Sequence, residues 1–196
     1  NQYLAFDKWQ VVRDETVITF RKTDKVKLHD DKVEVKVDDF LKKEFENVSL
    51  EKLCLDGVVT DVLNIRFNEI KKCFTSKAYL SVIFMAGSTL EGMLLGIALN
   101  NPKAFNQANS APKNKEGKIK QFPEWSLSQL IDTASELGLL KEDIKKFSHA
   151  LRDFRNYIHP YQQVSSGFNP DEHTAKICFQ VLKAAIFQLS TRNKNG

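Results

Sequence analysis

Ala78 to Leu99 forms a run of 22 residues with a single charged side chain, Glu91. A helix that is apolar on nearly every side persists in water only when neighbours surround it, so this run restricts the chain to folds that enclose it. Ser81, Gly87, Ser88, Thr89, Gly92 and Gly96 also interrupt it. Those interruptions argue against a membrane span and for the buried central member of a bundle, with no membrane association expected. At 196 residues and 42% apolar content, the chain can build one well-buried core and a small second unit.

The flanking segments read as the surround. Gly57 to about Phe74 spaces Val58, Val62, Ile65, Ile70 and Phe74 at three to five residues, which predicts an amphipathic helix with these as its apolar stripe. Asn100-Asn101-Pro102 stops the central helix, and the polar stretch 106–124, punctuated by Pro112, Gly117 and Pro123, reads as a long loop. Trp125 to Leu137 is the next helix, with Gly138 as its C-terminal cap. A further helix runs from Lys141 to about Ile158, stopped by Pro160, and the last from Asp171 to about Thr191.

The first 37 residues differ. Trp9 to Arg13, Thr16 to Arg21, Lys25 to Leu28 and Lys32 to Val37 are short, β-branched runs separated by turn residues, which predicts a small antiparallel sheet. The expected architecture is mainly α: a bundle of about five helices over residues 46–192, a small β-rich unit over 1–45 and a disordered tail at 193–196. No residue spacing in the strands suggests chemistry, so a cap or a dimer edge is the role read for them.

Cys54, Cys73 and Cys178 are too few and too scattered for a disulfide framework or a paired-cysteine metal site, and read as packing residues in a reducing compartment. No secretion signal is read at the N-terminus, so a cytoplasmic location is expected, although a first residue of Asn1 rather than Met suggests a trimmed longer chain. The net charge of +4 is unevenly placed. Residues 141–196 carry nine Lys/Arg against five Asp/Glu, whereas residues 1–140 carry twenty of each. That is a mild pointer to an anionic partner, far short of the basic stripe of a strong nucleic-acid binder.

On the helix from Lys141, the apolar residues Ile144, Phe147, Leu151, Phe154 and Ile158 alternate at three and four residues and define a core-facing seam. At about 100° per residue, Arg152 and His159 are expected two turns apart and nearly in line, with Asn156 between them and Arg155 on the flank nearer the core, roughly 120° around from that seam. Two guanidiniums beside an imidazole suit a phosphodiester. Arginine offers phosphate a planar fork of donors. Histidine can take a proton from a ribose 2′-hydroxyl or give one to the leaving oxygen. Such a reaction requires no metal, and no His, Cys or carboxylate cluster shows metal-ligand spacing, so neither metal nor cofactor is expected.

The segment Leu151-Arg152-Asp153-Phe154-Arg155-Asn156-Tyr157-Ile158-His159-Pro160 resembles the motif helix of the HEPN superfamily, the "higher eukaryotes and prokaryotes nucleotide-binding" domains. That family's motif is an arginine, four to six residues, then histidine. Six residues separate Arg152 from His159. Arg155-Asn156 matches the family's preference for a polar residue after the arginine, but only three residues separate Arg155 from His159. The resemblance, over roughly residues 55–192, therefore leaves open which arginine would be catalytic, and whether the chain binds without cutting. It implies a helical bundle that is a metal-independent RNA endonuclease of a toxin–antitoxin, abortive-infection or other defence system. It further implies a homodimer with two motif helices across a shared cleft, with an antitoxin or other protein as a possible partner.

Other residues enter as supports. Glu91 needs a cationic partner, for which Arg66, Arg152 and Arg155 are the candidates. Lys113, Lys115, Lys118 and Lys120 in the long loop are candidate RNA contacts, with solvated loop charge as the alternative. Tyr157 and Tyr161 flank the motif as candidates for stacking on a base, or for dimer packing in the case of Tyr157. His149 is a peripheral candidate, while His29 and His173 read as surface residues. The rivals to an RNA endonuclease are a non-catalytic RNA-, nucleotide- or protein-binding module, and a helical assembly domain in which His159 merely closes the helix.

Overall fold

The computed structural model describes residues 9–14, 17–22, 45, 48–167 and 169–192. The described residues are mainly helical, and the chain divides into two compact units: 1–44 with His159–Asn169, and Phe45–Ile158 with Pro170–Gly196.

In the first unit, strands β1 (Trp9–Asp14) and β2 (Val17–Lys22) pair antiparallel, from Trp9 opposite Lys22 to Asp14 opposite Val17. The strands expected at 25–28 and 32–37, like the tail at 193–196, lie outside the described residues. This unit also holds the short helix Pro160–Ser166, called α6 in chain order.

The second unit contains α1 (Gly57–Thr75), α2 (Tyr79–Asn100), the short α3 (Pro102–Gln107), α4 (Leu127–Glu136), α5 (Glu142–Arg155) and α7 (Glu172–Arg192). Helix α2 is the apolar run, and α1, α4, α5 and α7 all pack against it. Val82, Ile83, Ala86, Leu90, Met93 and Leu94 are each wholly buried. Among the described residues α2 alone is long and apolar enough to cross a membrane, and more than half of its most apolar stretch is buried inside the fold.

Local chemistry sets the ends of these helices. The Asp56 carboxylate accepts the Val58 and Val59 N–H groups at the start of α1. Ser126 and Gln129 form a reciprocal capping box on α4. Helix α4 closes in a Schellman turn: Leu139 N donates to Ala134 O, Gly138 N donates to Ser135 O, and Gly138 takes the left-handed conformation the turn demands (φ 70°).

Two expectations are corrected here. On α1 the buried residues are Leu63, Phe67 and Ile70, while Val58, Val62 and Ile65 are 73%, 45% and 65% exposed. Helix α1 has two apolar stripes. The one that turns inward carries the bulkier side chains, each methylene being worth about 0.8 kcal/mol on burial, and it sets Phe67 against Phe179 of α7 at 5.3 Å. Among the cysteines, Cys54 is exposed rather than packed, whereas Cys178 is buried, and burial pushes its thiol up to about 12.

The 106–124 stretch has structure of its own. It begins within α3, and Lys113 bridges to Ile119 around a turn in which the Asn114 side chain accepts the Glu116 and Lys118 N–H groups. Trp125 packs with Phe105 and Phe122 beneath it and donates its indole N–H to Lys120 O at 3.0 Å.

The face assignment on α1 yields a direct comparison. Leu63→Ala, at a buried position of α1, should cost about 2–5 kcal/mol of unfolding free energy in urea titration. Val62→Ala should stay within about 0.5 kcal/mol. Equal losses would contradict the orientation of α1.

Candidate functional site

Helix α5 follows the expected seam. Ile144 and Leu151 are buried and Phe147 and Phe154 are half-buried, so the polar residues are held off the core. The helix does not continue to Ile158, however. It ends at Arg155, Asn156–Ile158 tighten into a 3₁₀ turn, and His159 is extended (φ −84°, ψ 114°). Pro160 disfavours a helical residue before it, and the last α-helical carbonyls find partners by tightening to i→i+3 bonds. The alignment of Arg152 with His159 expected from 100° per residue therefore does not apply. The unit boundary also falls here: Arg152, Arg155 and Asn156 belong to the second unit, His159 and Tyr161 to the first.

The two arginines have different surroundings. Arg155 reaches across to α2, where its guanidinium forms an ion pair with Glu91, both side chains being about one-third exposed or less. Its aliphatic stem lies on Gly87, one turn before Glu91: a Cβ built at Gly87 would stand 2.7 Å from Arg155 Cδ and 3.1 Å from Arg155 Cβ. Gly87 and Glu91 thus form a seat, with bare backbone under the stem and a carboxylate at the head. Of the three cations proposed for Glu91, Arg155 occupies it, while Arg66 donates to Ser88 Oγ at 2.9 Å. Arg152 instead donates to its chain neighbour Asp153, through Nε at 3.1 Å and a second guanidinium nitrogen at 2.5 Å, and Asp153 is 59% exposed.

Asn156 and His159 are exposed, and the His159 imidazole has no hydrogen bond or ion pair with a described residue. Tyr157 is half-buried, its ring 6.4 Å from Phe154, and Tyr161 is 87% exposed. His149 is engaged by Asp132 of α4, its Nε2 lying 3.0 Å from Oδ1, and Lys145 shares the same oxygen at 3.2 Å. Neither Gly87 nor Asp132 was legible as a site residue. Gly87 stands four residues before Glu91, which is a usable signal, but nothing in the sequence pairs Asp132 with His149.

Lys113, Lys115 and Lys118 are exposed and Lys120 is half-buried. Lys118 pairs with Glu116 at 3.3 Å. Their loop is tied down by Glu136 at the end of α4, whose two carboxylate oxygens accept the Asn109 and Ser110 N–H groups at 2.6 and 2.8 Å. The Ser110 side chain and these two N–H groups hold the Glu136 carboxyl down at about 2. No hydrogen bond or ion pair joins the loop to α5 among the described residues. No three His, Cys, Asp or Glu side chains among them gather as a metal site.

The chain matches no family model, no curated protein and no solved structure.

Two outcomes test these contacts. Gly87→Ala should cost about 1–3 kcal/mol by overpacking. In an Arg155→Ala background that cost should shrink by more than about 0.5 kcal/mol, and strict additivity of the two would remove the seat. Because the folded carboxyl of Glu136 is depressed, the loop anchor is fully present above the ordinary value of 4.5 and is lost as pH falls through about 2. The Asn109 and Ser110 amide resonances should therefore titrate near 2 in NMR, and Glu136→Gln should abolish that titration.

Proposed function

We propose that the chain is a HEPN-like, metal-independent RNA endonuclease whose helical unit is preceded by a small β unit. His159 serves as acid/base for attack of the ribose 2′-hydroxyl on phosphorus, and Arg152 serves as the guanidinium on the scissile phosphate. The observation that carries this reading is the motif itself, Arg152 with six residues and then His159, together with the exposed, unengaged imidazole. Arg155 is assigned a positioning role because its stem and head are both held by α2. The Arg152–Asp153 pair is no obstacle: ion pairs this exposed are worth about 0–1 kcal/mol, less than a charge-assisted contact to phosphate can supply. Asn156 is an additional donor beside the phosphate, and Tyr157, Tyr161 and the lysine loop are peripheral RNA contacts. A homodimer, a defence-type role, an antitoxin-like protein partner and a cytoplasmic location complete the proposal on the resemblance alone.

A second reading, a non-catalytic module that binds RNA, a nucleotide or a protein, draws support from one observation: both guanidiniums already face carboxylates, Asp153 and Glu91. One assay separates the two. Purified protein incubated with mixed RNA in EDTA should produce fragments ending in 2′,3′-cyclic phosphate, and His159→Ala should lower the rate at least about 100-fold, the range of general acid–base catalysis. Absence of cleavage by the unaltered protein, with RNA affinity that Arg152→Ala abolishes, would select the binding module.

A further inference from the structure

Cleavage by a ribose 2′-hydroxyl moves two protons: one leaves the attacking hydroxyl, and another must reach the departing 5′-oxygen. His159 takes the first, which leaves the second without a donor. Helix α5 carries another imidazole, at His149. Lys145, His149, Arg152 and Asn156 follow one another at steps of four, three and four, so at about 100° per residue they fall within about 60° of arc. His149, unlike His159, lies inside the unbroken helix, and Asn156 at its end keeps helical dihedrals (φ −65°, ψ −17°), so this alignment holds. Three residues apart, His149 and Arg152 are surface neighbours with Cβ atoms about 5–6 Å from one another.

The ring is oriented from one side and open on the other. Nε2 lies 3.0 Å from Asp132 Oδ1 of α4, and Lys145 Nζ reaches the same oxygen at 3.2 Å. A carboxylate on one ring nitrogen fixes the tautomer and direction of an imidazole and leaves the other nitrogen to exchange a proton. Here that other nitrogen is Nδ1, which has no hydrogen-bond partner among the described residues, and the side chain is 26% exposed, so a substrate oxygen can reach it. Lys145 by itself already ties Asp132 to α5, so joining the two helices does not require the histidine.

We infer that His149 is the general acid of the proposed cleavage, with Asp132 as its positioning residue and Arg152, one turn on, holding the phosphate. This rests on the ribonuclease reading. His159 takes the 2′-hydroxyl proton as O2′ bonds to phosphorus, the P–O5′ bond breaks, and protonated His149 gives its Nδ1 proton to O5′. The products are a 2′,3′-cyclic phosphate and a 5′-hydroxyl, and proton exchange with water returns both imidazoles to their starting forms.

The test uses a synthetic RNA spanning a linkage that the full chain cuts in EDTA, made with either oxygen or sulfur as the 5′ bridging atom. A departing thiolate needs no proton, so sulfur removes the demand for an acid. His149→Gln should slow cleavage of the oxygen substrate at least about 100-fold and of the sulfur substrate less than about tenfold. Asp132→Asn should show the same asymmetry with a smaller loss on oxygen, whereas His159→Ala should slow both substrates, because the attacking hydroxyl still needs a base. A folding defect slows both substrates equally, so the asymmetry separates chemistry from structure. The inference is overturned if His149→Gln cuts the oxygen substrate as fast as the unaltered chain, or slows both substrates to the same degree. Either result leaves the ribonuclease reading standing, while absence of RNA cleavage by the unaltered chain removes both.

Discussion

The second unit depends on enclosing α2. A helix with ten buried residues has almost no face left for water, and its N-terminus has no side-chain cap, so its stability comes from packing rather than from local signals. Helices α1, α4, α5 and α7 supply that packing. Their own amphipathic faces are thereby oriented: the side of each helix that meets α2 is largely apolar, with Arg66 of α1 and Arg155 of α5 as polar contacts to it.

The one charge on α2 makes this enclosure specific. A carboxylate placed among packed helices loses hydration and is costly unless it is paired. Glu91 finds Arg155, and Gly87 one turn earlier removes the Cβ that would otherwise push the arginine stem away. The pair therefore fixes where the end of α5 lies on the core, which is where the motif's 3₁₀ turn begins. Two arginines three residues apart are consequently unequal. Arg155 is held by the fold, whereas the weak pairing of Arg152 with an exposed neighbour leaves its guanidinium exchangeable, and this difference underlies the roles proposed for them.

Much of the helical layout was legible because it rests on local chemistry. The five long helices, the stop at Asn100-Asn101-Pro102, the Gly138 turn and the extended residue before Pro160 follow from periodicity, capping and ring sterics that a few neighbouring residues decide. The errors have a common physical origin. Helix α1 carries two apolar stripes, and periodicity by itself cannot rank them. Ile70 is buried as expected, and the choice of Leu63 and Phe67 over Val58, Val62 and Ile65 follows from what α2 and α7 present, notably Gly92 opposite Leu63 and Phe179 beside Phe67. The end of α5 was placed three residues late because the tightening of its last turn leaves no mark in the hydrophobic pattern.

The candidate site divides along the same line. The residues Arg152, Asn156 and His159, their spacing and the need of Glu91 for a cation are properties of the chain alone, since they depend on side-chain chemistry and position in the sequence. Which cation meets Glu91, the seat at Gly87, and the grip of Asp132 on His149 and Lys145 came only from the tertiary structure. Each of these joins residues from separate helices, and no local periodicity encodes how one helix is rotated against another.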